Sequence, residues 1–437
     1  MAAKPSLLER MIRVAAARAE RPPAPPPDAY RVLPWGAIDS LANEPQEEAT
    51  RPPPPSAPQA LFDDGSRTPD GRPRLALLAL SGGGARGAFG AGLLTGWTRS
   101  GTRPRFAAIT GVSTGALMGT FAFLGPQYDG ELERFYTATT DADIFADRGF
   151  SGLLSDAVKD STPLKRLIER TVHEEILDAV AVEHHRGRRF LVGTTNLDSA
   201  RLVVWDMSAI AASGRPDRLR RFRDVLLASA SVPMVFPPVY FPVEWEGRTY
   251  WQMHVDGGAA VIVFLSGFVI DELNRLTGLK TERGDAVVDC YFVLNDVLGD
   301  RVPEDPVEPT LLGIAGGVVR SLSTAATVTQ LVRLYRATRG IGFGFHFASI
   351  PADYPHRLPA IRFEPEKMRH LFDYSRALAA GDYPWAEQPP RLDPREVMPL
   401  VPVPAAPSPP KGWAARAFAR LRDWVRGGPG GERSGSP

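Results

Sequence analysis

Residues 75–95 read LALLALSGGGARGAFGAGLLT, and this stretch decides the fold. Its first six residues, 75–80, are all apolar, which is the pattern of a strand buried on both faces of a sheet. A glycine-rich turn follows, and residues 88–98 then have the composition of a helix. A buried strand, a glycine turn and a helix in succession indicate a parallel sheet covered by helices.

The same succession of elements returns further along the chain. Residues 106–110 form a second predicted strand and residues 116–124 a second predicted helix, with two glycines between them. The remaining predicted elements are strands at 189–194, 202–205 and 286–294, and outer helices at 312–336 and 365–380. The predicted fold class is therefore α/β, with a central, mostly parallel sheet flanked by helices.

The turn after the second strand reads Gly111-Val112-Ser113-Thr114-Gly115. A nucleophilic serine needs a sharp strand-to-helix turn that exposes its hydroxyl, and small flanking residues let that strained turn form. The N-terminus of the following helix also favours developing negative charge. The pattern predicts Ser113 as a nucleophile, while a plain tight turn with a solvated serine stays open at this point.

The turn after the first strand reads Ser81-Gly82-Gly83-Gly84-Ala85-Arg86-Gly87. Consecutive glycines expose backbone N–H groups, which can hold a phosphate or the oxyanion of an acyl-transfer transition state. The spacing also fits a dinucleotide-binding turn, but that fold needs an acidic residue at the end of the second strand, where this chain has Thr110-Gly111. A P-loop is excluded because no Lys-Ser or Lys-Thr pair follows the glycines. A glycine-rich turn that binds nothing stays open.

A third motif, Val255-Asp256-Gly257-Gly258, follows an aromatic-rich stretch. An Asp at the end of a strand and before two glycines is, taken singly, more often a turn former than a functional group. By itself this motif therefore does not indicate a function; it does so only together with the other two motifs.

The composition limits the function. The chain has 437 residues, of which 43% are hydrophobic, so it can bury a sizeable core. Its 51 Lys and Arg residues balance 50 Asp and Glu residues, which argues against a nucleic-acid binder. The one cysteine, Cys290, lies in an apolar run, which predicts a buried strand residue and excludes an internal disulfide. Because no zinc or calcium ligand pattern occurs, neither a metal nor another cofactor is predicted.

Proline-rich stretches divide the chain into three parts. We predict a largely disordered leader over residues 1–71 with a weak amphipathic helix at 7–18, a folded domain over 72–388, and a tail over 389–437. The tail contains a basic amphipathic helix from Trp413 to Arg426, which predicts contact with an anionic membrane surface. Docking of that helix on the core is the alternative. With no membrane span and no signal peptide recognised, the predicted location is cytoplasmic with peripheral membrane contact.

The three motifs, taken in order, resemble those of the patatin-like phospholipases. Two further blocks are similar to segments of that family, namely GTTNL at residues 193–197 and ASASVP with FPP within residues 228–238. The resemblance is close over residues 75–261. One departure is visible, because many members carry Asn and Pro soon after Asp-Gly-Gly, whereas residues 259–264 of this chain are all apolar.

The resemblance implies a patatin-like three-layer sandwich and a lipid acyl hydrolase that uses a Ser–Asp dyad. Ser113 is then the nucleophile and Asp256 the base that accepts its proton, while Gly111 and Gly115 shape the nucleophile turn. Arg86 is expected to fix the glycine loop through a carboxylate, with attraction of a lipid phosphate as the alternative. The residues implied in the oxyanion hole are Gly82, Gly83, Gly84, Ala85, Arg86 and Gly87, with Gly83 and Gly84 as the main donors.

Two other functions stay open at this level. A Ser-His-Asp triad needs a histidine after the acid, and His346, His356 or His370 could supply it. His254 is a possible neighbour of the site, although a structural role is favoured for it. The second alternative is a noncatalytic module that binds lipid or phosphate with the glycine loop. The lipid class, the acyl position cleaved and the oligomeric state are not predicted.

Overall fold

The computed structural model describes residues 22–26, 32–38, 67–147, 159–265, 267–298, 307 and 311–389. The strands are β1 (Ala37–Ile38), β2 (Arg74–Leu80), β3 (Phe106–Val112), β4 (Ala146–Asp147), β5 (Lys159–Asp160), β6 (Arg189–Asn196), β7 (Arg201–Asp206), β8 (Val239–Trp245), β9 (Arg248–Asp256), β10 (Val287–Val297) and β11 (Gly344–Ile350). The α-helices are α1 (Ala88–Arg99), α2 (Thr114–Leu124), α3 (Asp129–Ala138), α4 (Asp141–Ile144), α5 (Thr162–Thr171), α6 (Glu174–His185), α7 (Met207–Ala212), α8 (Arg218–Ser229), α9 (Gly267–Thr277), α10 (Leu311–Gly340) and α11 (Pro365–Ala379). Short 3₁₀ helices are Gly84–Gly87, Pro126–Tyr128, Gly257–Ala259 and Thr281–Arg283.

One sheet organises the described chain, with the strand order β1-β7-β6-β3-β2-β10-β11. Its central strands β6, β3, β2, β10 and β11 are parallel. The strands β7 and β9 both pair antiparallel with β6, β1 adds to β7, and β8 adds to β9. The predicted α/β class with a central, mostly parallel sheet is confirmed. Because parallel strands end at the same edge, the turns after β2 and β3 lie next to each other, with Leu80 in register with Gly111.

Helices cover both faces of this sheet. Successive residues of β2 point to opposite faces, so Leu78 and Leu80 join one hydrophobic core while Leu75 and Leu77 join another. The first core includes the buried side chains of α1, α2 and α8, and the second includes those of α9 and α10. A strand buried on both sides has no position for a polar residue, which explains its continuous apolar run. The arrangement of helix, sheet and helix layers agrees with the sandwich that the resemblance implied.

The strongly apolar strands predicted from the sequence are present at the predicted positions. β3 continues to Val112 and β10 to Val297, both beyond their predicted ends. Cys290 is buried on β10, as predicted. The prediction misses β8 and β9, in which exposed and buried residues are mixed, and the helices α3 to α9. These elements bury one side only, so no continuous apolar run marks them in the sequence.

Parts of the Pro-rich leader contact the folded domain. The backbone carbonyl of Pro23 accepts the N–H of Trp251 at 2.9 Å, and that of Val32 accepts a bond from the Gln252 amide at 2.8 Å. Five residues after Val32, β1 extends the sheet beside β7. The prediction of a largely disordered leader over residues 1–71 therefore needs correction at these two stretches. Backbone hydrogen bonds to an exposed sheet edge order them without an apolar pattern of their own.

Two predicted amphipathic helices, at residues 7–18 and from Trp413 to Arg426, lie outside the described residues. Among the helices that the structure describes, none is long and apolar enough to cross a membrane.

Candidate active site

Ser113 occupies the turn between β3 and α2. Its backbone has φ 56° and ψ −127°, a conformation that residues other than glycine rarely adopt and that costs ~1–3 kcal/mol. A strained turn of this kind lifts a serine out of its strand and points it across the sheet edge. Ser113 is 8% exposed, so its hydroxyl lies in a nearly closed site.

The glycines on either side of Ser113 leave no room for a side chain. A Cβ atom on Gly111 would lie 2.5 Å from the carbonyl oxygen of Gly115. A Cβ atom on Gly115 would lie 2.6 Å from the carbonyl oxygen of Ser81. The first turn of α2 therefore packs directly on the end of β3 and on the start of the glycine loop. These contacts give a steric reason for glycine at both positions.

Asp256 is brought to Ser113 by the antiparallel strand β9. The last residues of β9 pair with β6, where Thr194 lies opposite Asp256, and β6 is the parallel neighbour of β3. The Asp256 carboxylate accepts the Gly258 N–H at 2.7 Å, and the Ser113 hydroxyl lies near enough to lower its pKa. The two predicted catalytic residues are thus brought together, although the pairing of the strand that ends at Asp256 is not predicted.

Burial raises the pKa of Asp256 to about 6, and the hydrogen bonds from Ser113 and Gly258 oppose that shift. Desolvation disfavours the charged form of a carboxyl group, which makes its anion a stronger proton acceptor than an exposed aspartate. An acceptor with this pKa is ionised at neutral pH and is suited to general-base catalysis. The geometry and the electrostatics of this pair therefore fit the same chemical task.

The glycine loop lies against Ser113 and two distant segments of the chain. A Cβ atom on Gly82 would lie 3.2 Å from the Cβ of Ser113. A Cβ atom on Gly83 would lie 2.7 Å from that of Asn295, and one on Gly84 would lie 2.9 Å from the carbonyl carbon of Ala360. The close approach of these segments leaves space for glycine alone.

Hydrogen bonds within the loop limit which N–H groups can bind an oxyanion. The N–H of Ala85 donates to the Ala360 carbonyl at 2.9 Å, and that of Arg86 donates to the Gly83 carbonyl at 3.1 Å. In the part of the chain that the structure describes, the N–H groups of Gly83 and Gly84 donate to no protein acceptor. Of the predicted donors Gly82 to Gly87, Ala85 and Arg86 already donate their N–H groups to protein carbonyls, so these two are not free to bind an oxyanion.

Two residues at the end of β10 hold the glycine loop, and sequence analysis does not single them out. Asn295 is fully buried, donates to the Ser81 carbonyl at 3.0 Å and accepts the Gly90 N–H at 3.0 Å. Asp296 forms an ion pair with Arg86, which agrees with the expected role of Arg86 in fixing the loop. A polar Asn-Asp pair that ends an apolar strand is the only local signal for them.

The apolar segment after Asp256 packs inward. Val263 and Phe264 are buried, and the Phe264 carbonyl accepts the Thr110 hydroxyl at 2.5 Å. The Ile262 N–H donates to the side chain of Gln330 on α10 at 2.9 Å. The departure from the family pattern at residues 259–264 thus ties the end of β9 to the second core.

Of the histidines considered for a triad, His346 and His370 bond other groups than Asp256, and the His356 ring packs on that of His370 with 4.1 Å between centroids. His254 is fully buried and bonds Thr194 at 2.9 Å, and burial lowers its pKa to about 3. His346 bonds Asp289 at 3.0 Å and His370 bonds Tyr354 at 2.8 Å. His254 is therefore a neutral structural residue, as favoured from the sequence. Among the described side chains, no group of three or more His, Cys, Asp and Glu residues could hold a metal ion.

Comparison with known proteins identifies one family. The family model described as patatin-like phospholipase matches residues 78–270. VipD from Legionella pneumophila is a distant structural match, with 10% identity, a TM-score of 0.34 and coverage of 72% of this chain and 69% of VipD. ExoU from Pseudomonas aeruginosa, solved in complex with SpcU, matches with 15% identity and a TM-score of 0.29 over 72% of this chain and 52% of ExoU. At these scores neither structure bears on the architecture or the activity of this chain. No curated protein matches the sequence significantly.

Proposed function

We propose that this chain is a lipid acyl hydrolase with a Ser113–Asp256 dyad, because residues 78–270 match the patatin-like phospholipase model. The observation that carries the proposal is the strained Ser113 beside the buried Asp256 carboxylate, whose pKa the serine hydroxyl lowers. The substrates are carboxylic esters of phospholipids or related lipids.

The reaction begins when Asp256 accepts the hydroxyl proton and the Ser113 oxygen attacks the ester carbonyl. The carbonyl oxygen becomes an oxyanion, which the unbonded N–H groups of Gly83 and Gly84 stabilise. Loss of one such donor typically costs ~3 kcal/mol of transition-state stabilisation. The leaving alcohol or lysolipid takes the proton from Asp256. A water molecule, activated by the same carboxylate, then hydrolyses the acyl-enzyme.

Exposed apolar side chains near the dyad support a lipid substrate. Met234 is 71% exposed and lies three residues after Ser231, whose carbonyl accepts the Asp256 N–H at 2.8 Å. Ile361 is 52% exposed and directly follows Ala360, which holds the glycine loop. Large apolar side chains exposed around a reactive site are typical of surfaces that contact apolar ligands or membranes.

Neither alternative function has an observation in its favour. A triad needs a histidine bonded to the acid, yet the Asp256 carboxylate accepts the Gly258 N–H, and no histidine is among the groups that shift its pKa. A module that only binds lipid would have no need for a strained serine against a buried carboxylate. The dyad accounts for both features.

The first experiment measures hydrolysis of a soluble p-nitrophenyl ester together with labelling by a fluorophosphonate, which needs an activated serine. We expect Ser113→Ala to lose both, and Asp256→Asn to lose hydrolysis to a similar extent because the two residues act as one unit. His346→Gln and His370→Gln are the matched controls and should keep most of the rate. A histidine variant as inactive as Ser113→Ala would establish the triad instead.

The lipid class is tested separately, on mixed lipid vesicles. Mass spectrometry of the released fatty acids and lysolipids identifies both the head group and the acyl position that the enzyme attacks. Vesicles incubated with Ser113→Ala provide the baseline. Release that is equal with both proteins would contradict lipid hydrolysis by this site.

A further inference from the structure

A buried serine outside the proposed dyad holds the strained turn of the nucleophile. Ser229 is the last residue of α8 and has no exposed surface. Its Oγ accepts the backbone N–H of Ser113 at 2.9 Å and donates to the Gly193 carbonyl at 2.8 Å. Because this hydroxyl accepts one hydrogen bond and donates another, its orientation is fixed.

The hydrogen bond from Ser229 to the Gly193 carbonyl ends beside Asp256, the proposed base. Gly193 precedes Thr194 on β6, and Thr194 is the residue paired with Asp256. A Cβ atom on Gly257 would lie 2.5 Å from the Gly193 carbonyl oxygen, so this carbonyl packs against the residue that follows Asp256. One hydroxyl therefore connects the backbone of the nucleophile to the strand against which the base is packed.

We propose that Ser229 is a positioning residue that sets the separation between Ser113 and Asp256. The proposal rests on the proposed function of that dyad. The Ser113 N–H lies in the strained turn, and Ser229 holds it while the Ser113 hydroxyl lies near enough to Asp256 to lower its pKa. Without the Ser229 hydroxyl the turn relaxes towards an unstrained conformation, and the hydrogen bond between the dyad residues lengthens.

The test compares Ser229→Ala with Ser375→Ala on a soluble p-nitrophenyl ester. Ser375 is equally buried, but its hydroxyl bonds, among the described residues, only the Leu371 and Phe372 carbonyls of its own helix α11. We expect kcat to fall ~10- to 100-fold in Ser229→Ala with KM nearly unchanged, because small errors in the geometry of reacting groups have effects of this size. Ser375→Ala should keep kcat within about twofold, since it alters no reacting group.

The pH profile separates positioning from general destabilisation. The hydrogen bond from Ser113 lowers the pKa of Asp256, so a weaker bond should move the acidic limb of kcat towards higher pH. That shift is expected in Ser229→Ala and not in Ser375→Ala, even if both variants melt at lower temperature. A variant with only a structural defect would lose active protein without a change in the limb.

Each outcome decides the proposal. If kcat and the acidic limb of Ser229→Ala match those of Ser375→Ala, the positioning role is wrong. If Ser229→Ala does not fold, Ser229→Cys keeps the shape with a weaker donor and acceptor, and it should show the same loss of kcat and the same shift. Wild-type behaviour of that cysteine variant would overturn the proposal. Full activity of Ser113→Ala would instead overturn the proposed function, so the two failures are distinguishable.

Discussion

At the scale of single residues, the proposed mechanism makes the activation of Ser113 depend on the pKa of Asp256. Burial raises this pKa to about 6, so Asp256 becomes protonated as the pH falls through that value and can no longer accept the serine proton. We therefore predict that kcat/KM on a soluble ester falls on the acidic side with an apparent pKa of about 6. A pH–rate profile between pH 4 and 9 measures it. An acidic limb near pH 4 would mean that a less buried carboxylate acts as the base.

The raised pKa of Asp256 also predicts a loss of folding stability at neutral pH. The pKa of Asp256 in the folded protein, about 6, is above the ordinary value of 3.8, so the folded state loses stability as the pH rises from about 4 through 6. A difference of roughly two pKa units corresponds to about 3 kcal/mol. We expect Asp256→Asn, although inactive, to raise the melting temperature at pH 8 and not at pH 4. Equal melting temperatures of the two proteins at pH 8 would contradict the shift.

At the scale of elements, the sequence predicts those whose residues form a continuous apolar run. β2 and β3 are buried along nearly their whole length, so their side chains are apolar and the strands are recognisable without a partner. β9 begins with exposed residues and becomes buried only towards Asp256, so its pattern matches no single period. Its position is decided by pairing with β6 and β8, which depends on residues distant in the chain.

The glycine loop offers a prediction at the same scale. Gly84→Ala should lower kcat at least ~10-fold, because its Cβ would press on the Ala360 carbonyl and move an oxyanion donor. Gly101→Ala is the matched control, since Gly101 also has a positive φ, 75° against 56° for Gly84, but has nothing within 4 Å of the added atom. Both variants carry backbone strain of ~1–2 kcal/mol, and only Gly84→Ala is expected to lose activity. Steady-state kinetics at equal folded concentration test this, and similar losses in both would refute a role of the loop.

At the scale of the whole molecule, a lipid acyl hydrolase must bring its site to an interface. The dyad is nearly closed to solvent, whereas Met234 and Ile361 are exposed in the segments that hold the base and the glycine loop. We propose that the basic amphipathic segment from Trp413 to Arg426, outside the described residues, adds binding to anionic membranes.

Truncation after Pro410 tests that segment. The shortened protein is expected to sediment less with anionic vesicles and to hydrolyse them more slowly, while its rate on a soluble short-chain ester stays nearly unchanged. The reason is that the proposal assigns membrane affinity to the segment and the chemistry to the dyad. Neutral vesicles are the control, because a basic helix gains little from them. Unchanged sedimentation, or loss of folding on truncation, would indicate that the helix docks on the core instead.

The local features of this protein can be read from its sequence alone. The apolar run of β2, the glycines around Ser113 and the glycine loop follow from steric and hydrophobic constraints between residues close in the chain, and these are visible in order and spacing. Family resemblance then linked Ser113 with Asp256 as a dyad.

Only the tertiary structure decided how distant segments meet. It places Asp256 on an antiparallel strand beside β6, it uses the N–H of Ala85 for Ala360, and it puts Asn295 under the glycine loop. It also sets the burial that raises the pKa of Asp256. Strand pairing, close packing and desolvation depend on every segment that folds around a residue, so no local pattern in the sequence encodes them.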